Sequence, residues 1–210
     1  MSKATTKKTK FKIQRRYGEE LPGLGKPGAL AKRNYPPGHT GQNRRRVTEF
    51  GNRLYEKQKS LYHYGLREQQ MRRFVKMAKK GDSKNWVERL FQLLESRLDN
   101  IVFRLGFAPS IAAARQMVSH KNVLVNGKTL TIPSAIIQPG DTISLTEKMY
   151  KLDIYIKTKD KPRLDLPAFL EKTSQKNIEV GKLLNTPTGK DVPFALEKRY
   201  IAEYYAKVKA

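Results

Sequence analysis

A short stretch of this 210-residue chain, residues 110–128, gathers side chains suited to hydrogen bonds and ion pairs with phosphate. Guanidinium, ammonium and amide groups donate such bonds, and the stretch contains no obvious catalytic group. The pattern therefore favours binding over catalysis. The candidate binding residues are Arg115, Gln116, His120, Lys121, Asn126 and Lys128.

Local signals predict the elements that present these side chains. Ser110 is a plausible N-cap, and inward-facing apolar residues at i, i+3 and i+7 predict a helix over 111–119. The Asn126-Gly127 pair is a strong hairpin signal, because both positions favour positive φ. The turn at 139–141 leads into a half-buried strand. A helical pair beside a small antiparallel sheet could bind folded RNA by its shape.

The charge of the chain narrows the class of partner. Lys and Arg total 43 against 19 Asp and Glu, which gives a net charge of +24. Such a charge fits a polyanion better than a small substrate. Membrane phospholipid is the rival polyanion, but no apolar run could span a bilayer and residues 1–12 lack a signal-peptide pattern. We expect a nucleic-acid partner and no membrane partner.

Most of the charge lies in the first part of the chain. Residues 1–81 carry 22 Lys and Arg against 5 Asp and Glu, and residues 82–210 carry 21 against 14. Phosphate contacts release counterions, so we expect the first part to supply most of the affinity. For residues 1–12 a disordered, solvated tail is the alternative. The basic residues expected to bind are Arg44, Arg45, Arg46, Arg53, Lys57, Lys59, Arg67, Arg72 and Arg73.

Gly and Pro dominate residues 21–41, which predicts an extended, looping segment. Apolar periodicity then predicts helices over 49–62, with Thr48 as N-cap, over 67–80 and over 83–105. Phe50, Phe74 and Trp86 are expected in the core. For Tyr55, Tyr62 and Tyr64, which lie among cations, both packing and stacking on RNA bases remain open.

The amino-acid composition disfavours a metal site. The chain has no Cys, which removes disulfides and thiolate ligands and suits a reducing compartment. The histidines His39, His63 and His120 are too few and too scattered to replace them. We expect no metal and no cofactor.

Three blocks of sequence resemble a known family. The block SxxxARQxVSHKxVxVNGK, followed by PGD, resembles the RNA-binding module named after the fourth small-subunit ribosomal protein, here called the S-four module. Upstream, PPGHTG and the EKQK and YG patterns resemble the helical domain of bacterial-type S-four. The tail DVPFALEKRY resembles that family's closing helix. Many members carry an N-terminal Cys cluster that binds a metal, so this chain resembles a cysteine-free variant lacking the zinc site.

The resemblance implies an α+β fold, in which a helical domain carries an inserted small α/β RNA-binding module and a C-terminal helix. We expect Asp191 to cap that helix with Pro193 in its first turn, and a short helix from about Pro167. The expected divisions are a basic extended segment (1–46), a helical rRNA-binding domain (47–96), the module (97–157), a linker (158–190) and a C-terminal helix packed on the helical domain (191–210).

The family's role implies a structural constituent of the small ribosomal subunit that binds the 5′ domain of its rRNA early in assembly. It further implies a place along the channel through which mRNA enters, where Arg44 and Arg46 match best. Contact with the neighbouring protein S-five and a part in translational accuracy are also implied. The expected location is the cytoplasm, within the small subunit, with an organellar ribosome as the alternative.

Proteins with other functions can carry the same module. An RNA-modifying enzyme would need a catalytic domain, and the roughly 65 residues after Leu145 are too few and too Lys-rich to form one. A free RNA chaperone is the other alternative.

Three of the candidate residues have structural alternatives. Arg97, which we add to the binding set, could instead pair with Asp99 or Glu95. Asn126 could serve only the turn, and His120 could cap the helix end.

Overall fold

The computed structural model describes residues 9–25, 27–38, 48–80, 85–175 and 178–207. It confirms the α+β class, with helices around one five-stranded antiparallel sheet. No described helix has the length and apolarity to cross a bilayer. The elements are α1 (Lys10–Tyr17), a 3₁₀ turn (Pro22–Leu24), α2 (Ala29–Lys32), α3 (Glu49–Tyr64), α4 (Glu68–Lys79), α5 (Trp86–Glu95), α6 (Leu98–Arg104), α7 (Ile111–Ser119), β1 (Val123–Val125), β2 (Lys128–Thr129), β3 (Thr142–Leu145), α8 (Glu147–Tyr150), α9 (Asp153–Asp160), β4 (Leu170–Gln175), β5 (Ile178–Leu183) and α10 (Lys198–Lys207).

Helices α3, α4 and α7 lie where the apolar spacing predicts them. Thr48 caps α3, since its Oγ1 accepts a hydrogen bond from the Gly51 N–H at 3.1 Å. Ser110 caps α7 in the same way, accepting from the Ala113 N–H at 3.2 Å. Gly65, with φ 61°, ends α3 in the left-handed region. The buried stripe of α4 is Met71, Phe74, Val75 and Ala78.

The single helix expected over 83–105 is wrong, because the described part forms two helices, α5 and α6. Between them Arg97 has an extended backbone, with φ −67° and ψ 140°, and forms an isolated bridge with Ile136. The Leu98 N–H donates to the Ala135 carbonyl at 2.8 Å. A loop from later in the chain thus takes backbone hydrogen bonds that a continuous helix would have used.

The sheet has the order β2-β1-β3-β5-β4, with all pairs antiparallel. Strands β4 and β5 lie in residues 158–190, so the linker expected there is wrong, as is the helix expected from Pro167. Gly181 pairs with Ile143 of β3 and lies against Leu105. A Cβ added at Gly181 would lie 2.4 Å from Leu105 Cδ1, so glycine allows β5 to pack on the end of α6.

Helix α10 packs against α3 as the domain expectation requires, but it begins at Lys198 instead of near Asp191. The Asp191 carboxylate accepts hydrogen bonds from the Thr188 N–H and Oγ1, both at 2.7 Å, and closes a turn. Asp191 therefore caps no helix. Arg53 Nε on α3 pairs with Glu203 on α10 at 2.6 Å.

The extended segment expected over 1–46 is also wrong where the structure describes it. Helices α1 and α2 and the 3₁₀ turn occupy this region. Ile13, Tyr17 and Leu21 form a second small core, against which Tyr55 and Tyr62 pack. These apolar residues supply the anchors that the Gly- and Pro-rich composition concealed.

The 3₁₀ turn lies between the end of α3 and the start of α7. A Cβ added at Gly23 would lie 2.4 Å from the His63 carbonyl oxygen and 2.7 Å from Ile111 Cδ1. One added at Gly25 would lie 2.4 Å from Ser110 Cβ. Only a residue without a side chain permits such a close approach at Gly23. The turn thus fixes the helical domain against the module.

Candidate nucleic-acid interface

The expected cations on α3 face into the fold. They are Arg53, Lys57 and Lys59. Lys57 is 5% exposed and pairs with Glu68 at 2.7 Å. Lys59 is 2% exposed and pairs with Glu19 at 3.2 Å and with Glu56 at 3.0 Å. These buried lysines are compensated within the protein and hold α3 to its neighbours.

Two of the expected arginines are paired nearer the surface. The hydrogen bond between Arg53 and Glu203 raises the pKa of the guanidinium and lowers the pKa of the carboxyl. Arg72 lies one turn after Glu68 on α4, and its Nε is 3.3 Å from that carboxylate. Both arginines are engaged with acidic residues in the described structure.

The outer face of α4 carries positive charge that no described carboxylate compensates. Arg67 and Arg73 are exposed as expected, and no described carboxylate pairs with either. Lys76 and Lys80 are exposed too, and they follow Arg73 at i+3 and i+7, on one side of the helix. We call Arg73, Lys76 and Lys80 the α4 stripe. The candidate set missed these two lysines, although helical spacing places them beside Arg73.

Two arginines of the module share one buried carboxylate. Arg97 is 3% exposed and donates to both oxygens of Asp99, from Nε at 3.0 Å and from Nη2 at 2.7 Å. Arg115 Nη2 donates to Asp99 at 2.7 Å and Arg115 Nη1 to the Gly65 carbonyl at 2.9 Å. The ion-pair alternative for Arg97 is therefore the one observed. Arg115 thus ties the module to the end of α3, and Arg97 pairs with the same carboxylate from within the module.

A second buried carboxylate lies beside this group. Glu95 is fully buried, and it accepts hydrogen bonds from the Tyr64 hydroxyl at 2.5 Å and from Asn100 Nδ2 at 2.8 Å. Arg104 Nε lies 3.6 Å from it. Burial raises the pKa values of Glu95 and Tyr64. Tyr64 is thus a core residue, and this carboxylate is closed to any substrate.

The predictions for the other aromatic residues have different outcomes. Phe74 is buried as expected, whereas Phe50 is 55% exposed and meets Tyr204 at a ring distance of 6.1 Å, so its place in the core is wrong. Tyr55 packs edge-on to Tyr17 with ring centroids 4.6 Å apart. Packing is therefore the observed role of Tyr55 in the described structure.

The remaining candidates lie on the surface of the module. Gln116, His120, Lys121 and Lys128 are exposed, and Lys121 has a φ of 62°. Asn126 Nδ2 donates to Asp141 at 2.7 Å, and its Oδ1 accepts from the Thr142 N–H at 2.9 Å. These bonds give Asn126 the turn role considered above. The exposed residues can still meet a ligand, because none of their side chains is hydrogen-bonded to described residues.

Arg44, Arg45 and Arg46 lie outside the described residues. Within the described part of the chain, no group of three His, Asp or Glu residues could hold a metal. The candidate surface is thus made of exposed cations on packed helices, beside the small module. Such a surface is typical of an RNA-binding protein.

Comparison with known families identifies the protein further. The model of the ribosomal protein S4/S9 N-terminal domain matches residues 5–95, and that of the S4 domain matches residues 96–143. Small ribosomal subunit protein uS4B of Bdellovibrio bacteriovorus is 52% identical over 95% of this chain and 96% of its own length. The uS4 protein of Methylobacillus flagellatus is 44% identical over 94% and 95%. The chain belongs to the small ribosomal subunit protein uS4 family.

Family membership confirms the resemblance drawn from the three sequence blocks. The S4 domain is the S-four module, and the boundary between the matched domains falls at residues 95–96, at the break between α5 and α6. The relatives are structural proteins of the ribosome, so membership in this family excludes the RNA-modifying enzyme. The sequence belongs to a member without cysteine.

Proposed function

We propose that this protein is a constituent of the small ribosomal subunit and binds the 5′ domain of its rRNA. The observation that carries the proposal is the α4 stripe. Arg73, Lys76 and Lys80 are exposed and unpaired with described carboxylates, on a helix whose opposite face is buried. Cations held at fixed spacing match the phosphates of folded RNA, whereas cations on a mobile tail would match any polyanion.

The module offers a second contact surface. His120 and Lys121 follow the end of α7, and Lys128 lies on the edge strand β2. Arg115 holds this surface to the junction between α3 and α4, because it donates to the carbonyls of Tyr64 and Gly65 while it pairs with Asp99. Two rigidly related surfaces support recognition of a multi-helix junction, because both fit only an RNA whose helices are correctly arranged.

Burial revises the roles within the proposed rRNA-binding set. We assign direct contact to the exposed residues and keep it for Arg44, Arg45 and Arg46, which lie outside the described residues. Residues that are buried, ion-paired or hydrogen-bonded within the protein receive a positioning role. The positioning residues are Arg53, Lys57, Lys59, Arg72, Arg97, Arg115 and Asn126. The contact residues are Arg44, Arg45, Arg46, Arg67, Arg73, Gln116, His120, Lys121 and Lys128, with Lys76 and Lys80 added.

Further parts of the proposal rest on family resemblance. They are nucleation of 5′-domain assembly, a place along the channel through which mRNA enters, contact with S-five and a part in translational accuracy. Arg44 and Arg46 are the residues proposed to face mRNA. The proposed location is the cytoplasm.

Sedimentation separates this function from that of a free RNA chaperone. When cell lysate is fractionated on a sucrose gradient after subunit dissociation, we expect nearly all of the protein in the small-subunit peak. A ribosomal constituent stays bound to the subunit in a fixed ratio, whereas a chaperone dissociates from its RNA. Recovery mainly from the soluble fractions would contradict the proposal.

A further inference from the structure

The exposed face of α1 has a composition unlike the α4 stripe. Ile13 and Tyr17 of α1 point into the second core. The opposite side, which we call the α1 face, combines one aromatic residue with three cations at i+3 and i+4 spacing. Its members are Phe11, Lys12, Arg15 and Arg16. Phe11 is 41% exposed.

A stacked pair extends this face. The guanidinium carbon of Arg15 lies 4.7 Å from the ring centroid of Tyr35, and Arg15 Nε donates to the Tyr35 backbone carbonyl at 3.0 Å. The backbone hydrogen bond holds the segment after α2 against α1. The Tyr35 side chain remains 41% exposed. Two flat groups are thus stacked on each other at the surface, and part of the tyrosine remains open to solvent.

The acidic residues nearest in sequence leave this charge uncompensated. Glu19 pairs with Lys59 at 3.2 Å. Glu20 accepts a hydrogen bond from the Gly28 N–H at 2.7 Å and pairs with Arg163 at 3.1 Å. No described carboxylate pairs with the cations of the α1 face, so the face attracts anions.

The combination selects one kind of partner. Paired RNA presents phosphates to a protein but keeps its base faces stacked inside the helix, so it would leave Phe11 and Tyr35 unused. An unpaired nucleotide offers a phosphate and an open base face together. Aromatic rings and arginine planes beside cations are the groups that bind single-stranded nucleic acid.

We propose that Tyr35, Arg15 and Phe11 form a stacking platform for unpaired nucleotides of the rRNA, with Lys12 and Arg16 binding the flanking phosphates. The inference rests on the proposed rRNA function and adds a chemistry that the α4 stripe lacks. The α4 stripe contacts phosphates of folded RNA, whereas the platform binds only nucleotides whose bases are unpaired and free to stack.

Binding of the full-length protein to three RNAs tests the platform. The probes are a 5′-domain rRNA transcript, a single-stranded uridine decamer and a duplex of equal total charge. Tyr35→Ala should weaken binding of the decamer by roughly fivefold to a hundredfold, the range for loss of one stacked base, and leave duplex binding unchanged. Tyr35→Phe, which keeps the ring, should stay within about twofold of the original protein.

Crosslinking locates the contact directly. A transcript containing 5-iodouridine should crosslink to the peptides that hold Tyr35 or Phe11, as read by mass spectrometry. If the protein binds the transcript but Tyr35→Ala binds all three probes unchanged, and the crosslinks fall elsewhere, the platform is wrong while the rRNA function stands. If the unaltered protein binds the transcript no better than the duplex, the proposed function itself fails.

Discussion

Lys59 and Lys76 are the same residue type, yet Lys59 is 2% exposed between Glu19 and Glu56 whereas Lys76 lies in solvent on α4. A buried lysine ammonium group needs a paired carboxylate to offset the loss of solvation. Lys59 therefore stabilises the fold and is not available to a ligand. The exposed lysine keeps its charge available for a ligand. The same division separates Arg97 from Arg73.

His63 makes stability depend on pH. It is buried beside the 3₁₀ turn, and burial together with Arg104 lowers its pKa from 6.5 to about 3. Between these values the unfolded chain binds the proton and the folded protein does not, so stability falls as the pH falls below 6.5. From about pH 7 to about pH 5.5 this residue should remove about 1 kcal/mol from the free energy of unfolding.

Urea unfolding at the two pH values measures this effect. The original protein should lose about 1 kcal/mol more than His63→Gln over this interval, since the variant has no proton to bind. His120→Gln removes an exposed histidine and should behave like the original protein. Equal pH dependence in all three proteins would show that His63 is protonated alike in the folded and unfolded states.

Among the elements, the 3₁₀ turn is one of the shortest, yet it contacts both the helical domain and the module. It meets α3 through Gly23 and His63, and it meets α7 through Gly25 and Ser110. Because the helical domain and the module meet here, the turn helps to fix the two proposed RNA-binding surfaces at one spacing. A short segment with only three residues in the turn thus affects both surfaces.

Substitution Gly23→Ala should destabilise the protein by about 3 kcal/mol, because the added methyl group meets a backbone oxygen that cannot move freely. Gly28→Ala is the control: its Cβ would meet nothing within 4 Å, and only its positive φ of 76° carries a cost, about 1 kcal/mol. Thermal or urea unfolding compares the two variants. Similar destabilisation of both would mean that the turn is not tightly packed.

Sequence patterns predicted the helices and the hairpin that depend on residues a few positions apart. Thr48 and Ser110 mark their helices, and Asn126-Gly127 marks the hairpin, because capping and turn chemistry involve residues a few positions apart. The break at Arg97 could not be read locally, since it depends on hydrogen bonding with a loop about 38 residues later.

The candidate interface was predicted less completely than the fold. The sequence identifies basic residues, but their exposure depends on partners far along the chain. Glu203, which engages Arg53, lies 150 positions away, and Glu68, which engages Lys57, lies 11 positions away on another helix. The α1 face was missed because a Lys-rich N-terminus is typical of a disordered tail.

For the whole molecule, the net charge of +24 is spread over residues with different tasks. Ion pairs inside the helical domain use part of the charge, and the α4 stripe presents another part to solvent. We therefore expect the location of the cations, and not their total number, to determine rRNA affinity.

The salt dependence of binding to a 5′-domain transcript tests this claim most directly. Arg73→Ala/Lys76→Ala should weaken binding and flatten the slope of log affinity against log salt by about 1 to 2 units, since up to two phosphate contacts are lost. Lys151→Ala/Lys157→Ala removes the same charge from exposed positions at α8 and α9 and should leave the slope unchanged. Equal slopes for the two double variants, whether both flattened or both unchanged, would contradict the account.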